Sequence, residues 1–335
     1  MEALNDESPS HTAVALEHLT CTSYRNPTMT NQTASRDAAV RAAAFEFLRD
    51  QTALHGEILS RDLLSTGFQF EGQRVPLLGP QGIFKPAVLP EMPLTFTTAP
   101  PKRGAPPPYD DELGPDGLLR YRYRGTDPNH HDNVGMLKAM QRQVPLIYLF
   151  GIVPGQYMPT WPVYVVQADP QRLTFHVAVD DRRFGAGEMA EVEPQIRRSY
   201  VTRLTLHRLH QASFRQRVLR AYREHCAICR LRHVELLEAA HILPDGHPRG
   251  EPLVANGLSL CKLHHAAFDR HILGVSPDYV VHIRRDILEE VDGPMLQHGL
   301  KEMEGRKLVV LPNARDLKPR REFLEERFDL FRRAG

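Results

Sequence analysis

The sequence predicts an α+β protein of two domains, a β-rich, barrel-like N-terminal domain and a C-terminal domain stabilised by a metal ion. Three observations support this prediction. The chain has 335 residues, more than one domain usually contains. Near-continuous apolar runs at 144–153 and 161–166 indicate interior strands. Three of the four cysteines fall within residues 226–261, in a spacing typical of zinc ligands.

Four segments follow one another along the chain. Residues 1–35 lack periodicity and are rich in Thr, Ser and Asn, which predicts a disordered tail. Residues 36–182 form the β-rich domain, 183–198 a polar linker and 199–335 the C-terminal domain. The proline- and glycine-rich residues 99–117 suit a linker or a long loop within the first domain, and the strand-like run that follows at once favours the loop.

Local patterns predict the elements in order. A helix begins near Ser35, and a second short helix at 59–64 ends at Gly67. Alternating apolar residues and turn glycines predict hairpins over 67–86. Strands follow at 118–124, 144–153, 161–166 and 173–179, with a helix at 133–142. Residues 199–225 are helical, 275–284 suit a hairpin strand, and 319–333 form an amphipathic closing helix.

Composition excludes some functions. A net charge of +1, with 25% charged and 41% hydrophobic residues, is ordinary for a globular protein and does not itself indicate nucleic acid. No apolar run approaches a membrane span of about 18–20 residues, and the N-terminus lacks the features of a signal peptide. With few cysteines and a metal site, we expect a cytoplasmic protein with no membrane partner.

Two short motifs predict the metal site. Cys226 and Cys229 form a C-x-x-C pair, and Cys261 and His264 form a C-x-x-H pair. Four soft ligands on two knuckles separated by a long loop can close a tetrahedral, structural Zn²⁺ site. The alternatives are buried apolar thiols or a redox pair, but no βαβ pattern surrounds the C-x-x-C pair.

A His…Asn…His series shares this segment. His241 and Asn256 lie between the knuckles, and His265 follows directly after His264. On the helix predicted there, His265 and Asp269 are four residues apart and share a face, so they can hold a hard divalent cation. Taken alone, His241 would be a satisfied core histidine; together the residues suit phosphodiester hydrolysis, which needs a base and a cation.

These residues resemble the HNH endonucleases. The resemblance covers about residues 224–271 and implies a ββα-metal fold, with His241 as general base, Asn256 bracing the hairpin, and His265 binding catalytic Mg²⁺ or Mn²⁺. Many members carry a metal-binding Asp or His just before the base, where this chain has Ala240. Either fewer protein ligands hold the cation, or Glu238 reaches in.

Residues 36–182 are similar to the N-terminal half of predicted prokaryotic restriction endonucleases that end in an HNH domain. Their β-rich middle resembles the PUA-like group, which includes modified-base readers of the SRA and EVE types. The resemblance implies a homodimer that binds modified double-stranded DNA. An extruded base needs stacking and edge contacts, although each ring also suits a barrel core; the candidates are Tyr121, Tyr123, Arg124, Tyr157 and Trp161.

A run of arginines precedes and enters the motif. Between 197 and 232 the only acidic residue is Glu224, and such a stripe can neutralise backbone phosphate, although a solvated helical face is the alternative. The arginines that we expect at DNA are Arg215, Arg220, Arg223, Arg230 and Arg232.

The sequence thus predicts a DNA endonuclease, in the first instance a modification-dependent restriction enzyme. Two alternatives stay open. One is a repair or mobile-element nuclease that reads sequence or DNA shape. The other is a zinc-stapled DNA-binding protein that does not cleave, which the alanine at 240 keeps open.

Overall fold

The computed structural model describes residues 31–100, 113–180 and 194–334. Most of the predicted tail and much of the predicted linker lie outside these ranges. The helices are α1 (Asn31–His55), α2 (Arg61–Thr66), α3 (His131–Gln141), α4 (Pro194–Ala221), α5 (Lys262–Asp269), α6 (Arg285–Glu289), α7 (Pro294–Gly299) and α8 (Arg321–Ala334). None of these helices combines the length and apolarity that crossing a membrane would need.

The strands divide into one large sheet and three hairpins. The strands of the large sheet are β1 (Leu59–Ser60), β4 (Ile83–Phe84), β5 (Thr95–Thr98), β6 (Leu119–Arg122), β7 (Leu146–Val153), β8 (Gln156–Asp169) and β9 (Thr174–Val179). The hairpins pair β2 (Phe68–Phe70) with β3 (Gln73–Val75), β10 (Leu237–His241) with β11 (Gly257–Cys261), and β12 (Leu273–Val275) with β13 (Val281–Ile283).

The large sheet curls into half a barrel, with the strand order β4-β5-β7-β8-β9-β6 and β1 paired to β8. Every residue of β7 is buried, as the continuous apolar run predicts for an interior strand. Two cores flank the sheet. One, on the α1 side, includes Leu48 and Leu149; the other, between the sheet and α4, includes Phe175 and Val201.

Local chemistry explains the element boundaries. The hydroxyl of Ser60 accepts from the backbone N–H of Leu63 and caps α2, which ends at Gly67 with a φ of 66°.

The first helix begins at Asn31, four residues earlier than predicted. The strand β5 was not predicted, and it pairs in parallel with β7.

Helix α4 belongs to both domains. Val201, Leu206 and Leu209 pack in the core beside the large sheet. Further along, Phe214 and Tyr222 pack in the C-terminal core. The helix begins at Pro194, so the last residues of the predicted linker are helical, and the two domains share one rigid element.

The C-terminal domain is a β-hairpin followed by a helix. Strands β10 and β11 pair in antiparallel register with His241 opposite Gly257, and α5 packs against both strands. The second hairpin and α8 complete the core, with Phe323 and Leu324 of α8 buried in it. The chain is thus a mixed α+β protein, as predicted.

Candidate active site

Four potential ligands meet where α4 ends and β11 passes into α5. Cys226 and Cys229 follow α4, Cys261 ends β11, and His264 lies in α5. Their ligand atoms all lie within 4.8 Å of one another. His264 Nδ1 is 3.5 Å from Cys226 Sγ and 3.1 Å from Cys261 Sγ, and Cys229 Sγ is 4.0 Å from Cys261 Sγ.

These spacings are close to the edges of a tetrahedral zinc site, because Zn–S and Zn–N bonds of about 2.3 and 2.1 Å put neighbouring ligands roughly 3.4–3.8 Å apart. Nε2 of His264 donates to the carbonyl of Gly299 at 2.8 Å, which leaves Nδ1 as the ligand atom. The three cysteines form no disulfide. This soft donor set therefore fits Zn²⁺.

A second polar cluster links β10 to α5. Nδ1 of His265 lies 2.5 Å from Oε2 of Glu238, and its Nε2 lies 3.3 Å from Oδ2 of Asp269. Both carboxylates are more than a third exposed, so a hydrated ion can reach them. Asp269 also lies 3.7 Å from the guanidinium of Arg327, which competes with a cation for this carboxylate. Glu238 is therefore the better candidate ligand of the two. An imidazole and carboxylate oxygens are a donor set that suits a divalent cation with open positions.

His241 ends β10 and is half-buried. Its ring stacks on Phe214 of α4, with centroids 3.9 Å apart and an interplanar angle of 14°. Its Nε2 is buried and has no hydrogen-bond partner among the described residues. Burial lowers the pKa of His241, a nearby histidine lowers it further, and the carboxylates of Asp245 and Asp269 oppose the shift. The imidazole is therefore neutral at pH 7 and can accept a proton.

Asn256 is fully buried and closes the loop between β10 and β11. Its side-chain oxygen accepts from the N–H of Leu243 at 2.9 Å, and its Nδ2 donates to the Leu243 carbonyl at 3.0 Å. Nδ2 also donates to the carbonyl of Glu251 at 3.1 Å. The two bonds to Leu243 fix the chain just after His241, and the bond to Glu251 holds the later part of the loop, so Asn256 can brace the hairpin.

Ala240 brings no ligand to the cluster. It is fully buried in the C-terminal core and lies opposite Leu258 in the hairpin. The carboxylate nearest His265 comes instead from Glu238, two residues earlier on the same strand. This contact is one of the two arrangements that the sequence left open.

The predicted DNA-binding arginines separate into two groups. Arg215 donates to the carbonyls of Val234 and Leu237 at 3.0 and 2.9 Å, so it ties α4 to the start of β10. Arg223 is exposed but contacts the carbonyl of Leu311 and the side chain of Asn313. The remaining exposed members of the set are Arg220, Arg230 and Arg232.

The structure does not bring the five base-pocket candidates together. Tyr121 and Tyr123 are buried in the core between the sheet and α4, where Tyr123 stacks on Phe175 at 4.0 Å. Tyr157 and Trp161 belong to the core on the α1 side. Arg124 hydrogen-bonds Asp132 and Gln81 on the surface of the first domain.

Trp161 lines a cavity of about 310 Å³ between α1, β8 and α4. Thr160 and Thr205 also line it, and the hydroxyl of Thr205 is buried without a hydrogen-bond partner among the described residues. Arg49 and Arg208 also line the cavity, and Arg208 pairs there with a glutamate carboxylate. The cavity thus combines an indole, two hydroxyl groups, the guanidinium of Arg49 and one arginine–glutamate ion pair.

Sequence reasoning missed Phe214, whose spacing on α4 marks it only as a core residue. It also missed a cluster of His130, His131 and Asp132, whose ligand atoms lie within 4.8 Å of one another. Arg124 already occupies the carboxylate of Asp132, so that cluster is a poor cation site.

Comparisons with known proteins support the C-terminal motif. Residues 226–276 match the family model described as HNH endonuclease. No curated protein matches the chain. A solved structure titled "Modification dependent TagI restriction endonuclease" is 16% identical and has a TM-score of 0.29, covering 72% of this chain and 82% of that one. A TM-score of 0.29 does not indicate a shared fold.

Proposed function

We propose that this chain, whose residues 226–276 are an HNH endonuclease domain, is a divalent-metal-dependent DNA endonuclease with His241 as its general base. The proposal rests on one observation: the ββα unit carries a half-buried histidine, whose pKa burial lowers, and a second histidine between two carboxylates. Phosphodiester hydrolysis needs a base for water and a cation on the phosphate.

His265 and Glu238 would hold the catalytic Mg²⁺ or Mn²⁺, with Asp269 as a further ligand or as the partner that orients the ring of His265. A cation held there would supply the positive charge that offsets the charge of the scissile phosphate and of the leaving oxygen. His241 takes a proton from the attacking water, since its lowered pKa keeps it neutral. Asn256 holds the loop that follows the base.

Zn²⁺ on Cys226, Cys229, Cys261 and His264 would be structural. These residues join the end of α4 to β11 and to α5, and α5 carries His265 and Asp269 of the second cluster. A site filled by four protein ligands has no open position for substrate, so no catalytic step passes through it.

DNA would lie against the exposed arginines of the stripe, and the N-terminal domain would read a modified base as a PUA-like module. The cavity beside Trp161 is the best supported site for reading a base, because it offers an aromatic face, hydroxyl groups for the edge of a base and the guanidinium of Arg49 for phosphate. Cutting both strands would require two HNH domains, hence a homodimer.

A plasmid-cleavage assay tests the nuclease activity. With Mg²⁺ or Mn²⁺ the parent should linearise a modified supercoiled plasmid, and His241→Ala should bind it without cutting. His298→Ala is the matched control, because His298 is exposed and pairs with Glu302, which belongs to neither proposed metal cluster. Tight binding by the parent without any cleavage would favour the zinc-stapled DNA-binding protein instead.

Recognition of a modified base is tested by measuring the affinity of the full-length His241→Ala protein, which should bind without cutting, for unmodified, methylated and hydroxymethylated duplexes. Full length is necessary because α4 completes the core of the N-terminal domain. Trp161→Ala should abolish the preference for a modified duplex, whereas Tyr200→Ala, an exposed ring on α4 outside the cavity, should keep it. Equal affinity for all duplexes would favour an enzyme that reads sequence or shape.

A further inference from the structure

We propose that Phe214 is a positioning residue for the general base, holding the His241 imidazole by stacking; the inference rests on the proposed role of His241. The two rings are nearly parallel, at 14°, and their centroids are 3.9 Å apart. Phe214 is only 2% exposed, so its own ring is held firmly by the surrounding core.

His241 needs a stacking contact because no hydrogen bond among the described residues orients its buried ring nitrogen. Catalytic histidines are commonly oriented by a hydrogen bond to the ring nitrogen that does not react. Here Nε2 is buried and has no such partner among the described residues. The aromatic contact is therefore the interaction that fixes the plane of the ring, and Nε2 is not the nitrogen that solvent reaches.

The hairpin makes room for this contact. Gly257 lies directly opposite His241 in the β10–β11 register. A Cβ at this position would lie 2.9 Å from Phe214 Cζ and 2.6 Å from Val218 Cγ2, too close for either side chain to keep its place. The hydroxyl of Tyr222 on the same helix donates to the Gly257 carbonyl at 3.1 Å. Helix α4 thus packs closely against β11 beside His241, and it also supplies the phenyl ring on which the His241 imidazole stacks.

This arrangement fixes the base relative to both domains. Phe214 stands on the part of α4 that enters the C-terminal core, and Leu209, five residues earlier, is buried in the N-terminal core. Rotation or translation of α4 would move the ring under His241. Misplacing a catalytic group by about 1 Å can cost roughly a hundredfold in rate.

Two α4 variants separate positioning from packing. Phe214→Leu keeps an apolar side chain but removes the flat ring. Leu219→Ala is the matched packing control, because Leu219 is 1% exposed in the same core and points to another side of the helix. Zinc content and circular dichroism establish that each variant is folded at the assay temperature.

We expect Phe214→Leu to lower kcat by about ten- to a hundredfold with KM and DNA affinity unchanged. The acid limb of the pH–rate profile should move to higher pH in Phe214→Leu, because exposure of the imidazole weakens the burial that lowers its pKa. The charged groups that face His241 (Asp245, Asp269 and His265) are unchanged in this variant.

A spectroscopic measurement keeps this inference separate from the cleavage activity. Stacking shifts the His241 ring protons upfield, so the His241 resonance, assigned by its loss in His241→Ala, should move downfield in Phe214→Leu and not in Leu219→Ala. If the resonance stays in place, or if Phe214→Leu and Leu219→Ala lower activity only in proportion to the folded fraction, the inference is wrong. A parent that shows the upfield resonance but never cuts would overturn the proposed function, and with it the catalytic meaning of a stacking contact that the resonance itself would confirm.

Discussion

Nδ1 of His265 lies 2.5 Å from Oε2 of Glu238, although 27 residues separate them in the chain. The contact joins the first strand of the hairpin to the helix that follows it. Glu238 thereby supplies the carboxylate ligand that Ala240 cannot provide, because the Ala240 side chain is buried and carries no ligand atom. From this contact we expect Glu238 to be a ligand of the catalytic cation.

The first prediction concerns this carboxylate. Glu238→Gln should raise the Mn²⁺ concentration for half-maximal cleavage by about ten- to a hundredfold, because an amide is a weaker ligand than a carboxylate. Glu302→Gln is the control, since Glu302 also pairs with a histidine, His298, but far along the chain from the hairpin. An unchanged Mn²⁺ requirement in Glu238→Gln would exclude Glu238 as a ligand.

The second prediction concerns zinc. Cys226→Ser and Cys261→Ser should leave the C-terminal domain unfolded, because a structural zinc site contributes about 10 kcal/mol to folding. Metal analysis of the parent should find one zinc per chain, and thermal melting should separate the variants from the parent. Cys21→Ser, the remaining cysteine, should melt like the parent and keep its zinc. Parental melting of all three variants, with no zinc in the protein, would disprove the site.

The local signals of the C-terminal motif could be predicted from the sequence. The ligands come in two short pairs, Cys226–Cys229 and Cys261–His264, and short spacings constrain geometry whatever the rest of the chain does. His265 and Asp269 share one helical face for the same reason. The match of residues 226–276 to the HNH family model confirms the resemblance that these residues carry.

Long-range contacts could not be predicted in the same way. Phe214 lies 27 residues before His241, and only the packing of α4 against the hairpin brings their rings together. In the first domain, Tyr121 and Trp161 lie in different cores. Trp161 lies in a stretch of β8 that is buried on both faces, so no polar alternation in the sequence marks the face to which its side chain belongs.

The third prediction distinguishes two kinds of arginine. Arg220→Ala combined with Arg230→Ala should reduce the slope of log affinity against log salt by about 0.9 for each phosphate that the protein no longer neutralises, without changing thermal stability. Arg215→Ala should instead lower the melting temperature, because it strands two carbonyls at the start of β10. Arg285→Ala, which removes an exposed arginine on α6, should change neither quantity. An unchanged salt slope in the double variant would exclude these arginines from the DNA interface.

The pH dependence of cleavage follows from His241. Its pKa is lowered chiefly by burial and raised by the carboxylates of Asp245 and Asp269. The neutral imidazole is the active form, so the rate should fall as pH drops through the His241 pKa, at a pH below the ordinary histidine value of about 6.5. Above that pH the base is already neutral, and the rate should no longer rise through this group.

The fourth prediction concerns Asp245, whose substitution should shift the acid limb of the pH–rate profile. Asp245→Asn removes a carboxylate that favours imidazolium, so the pKa of His241 should fall further and the acid limb of kcat should move to lower pH. Asp245 is exposed and contacts His207, so the substitution should not disturb the core. Asp278→Asn, at another exposed carboxylate, should leave the limb in place. A shift to higher pH, or the same shift in both variants, would mean that a group other than His241 controls the acid limb.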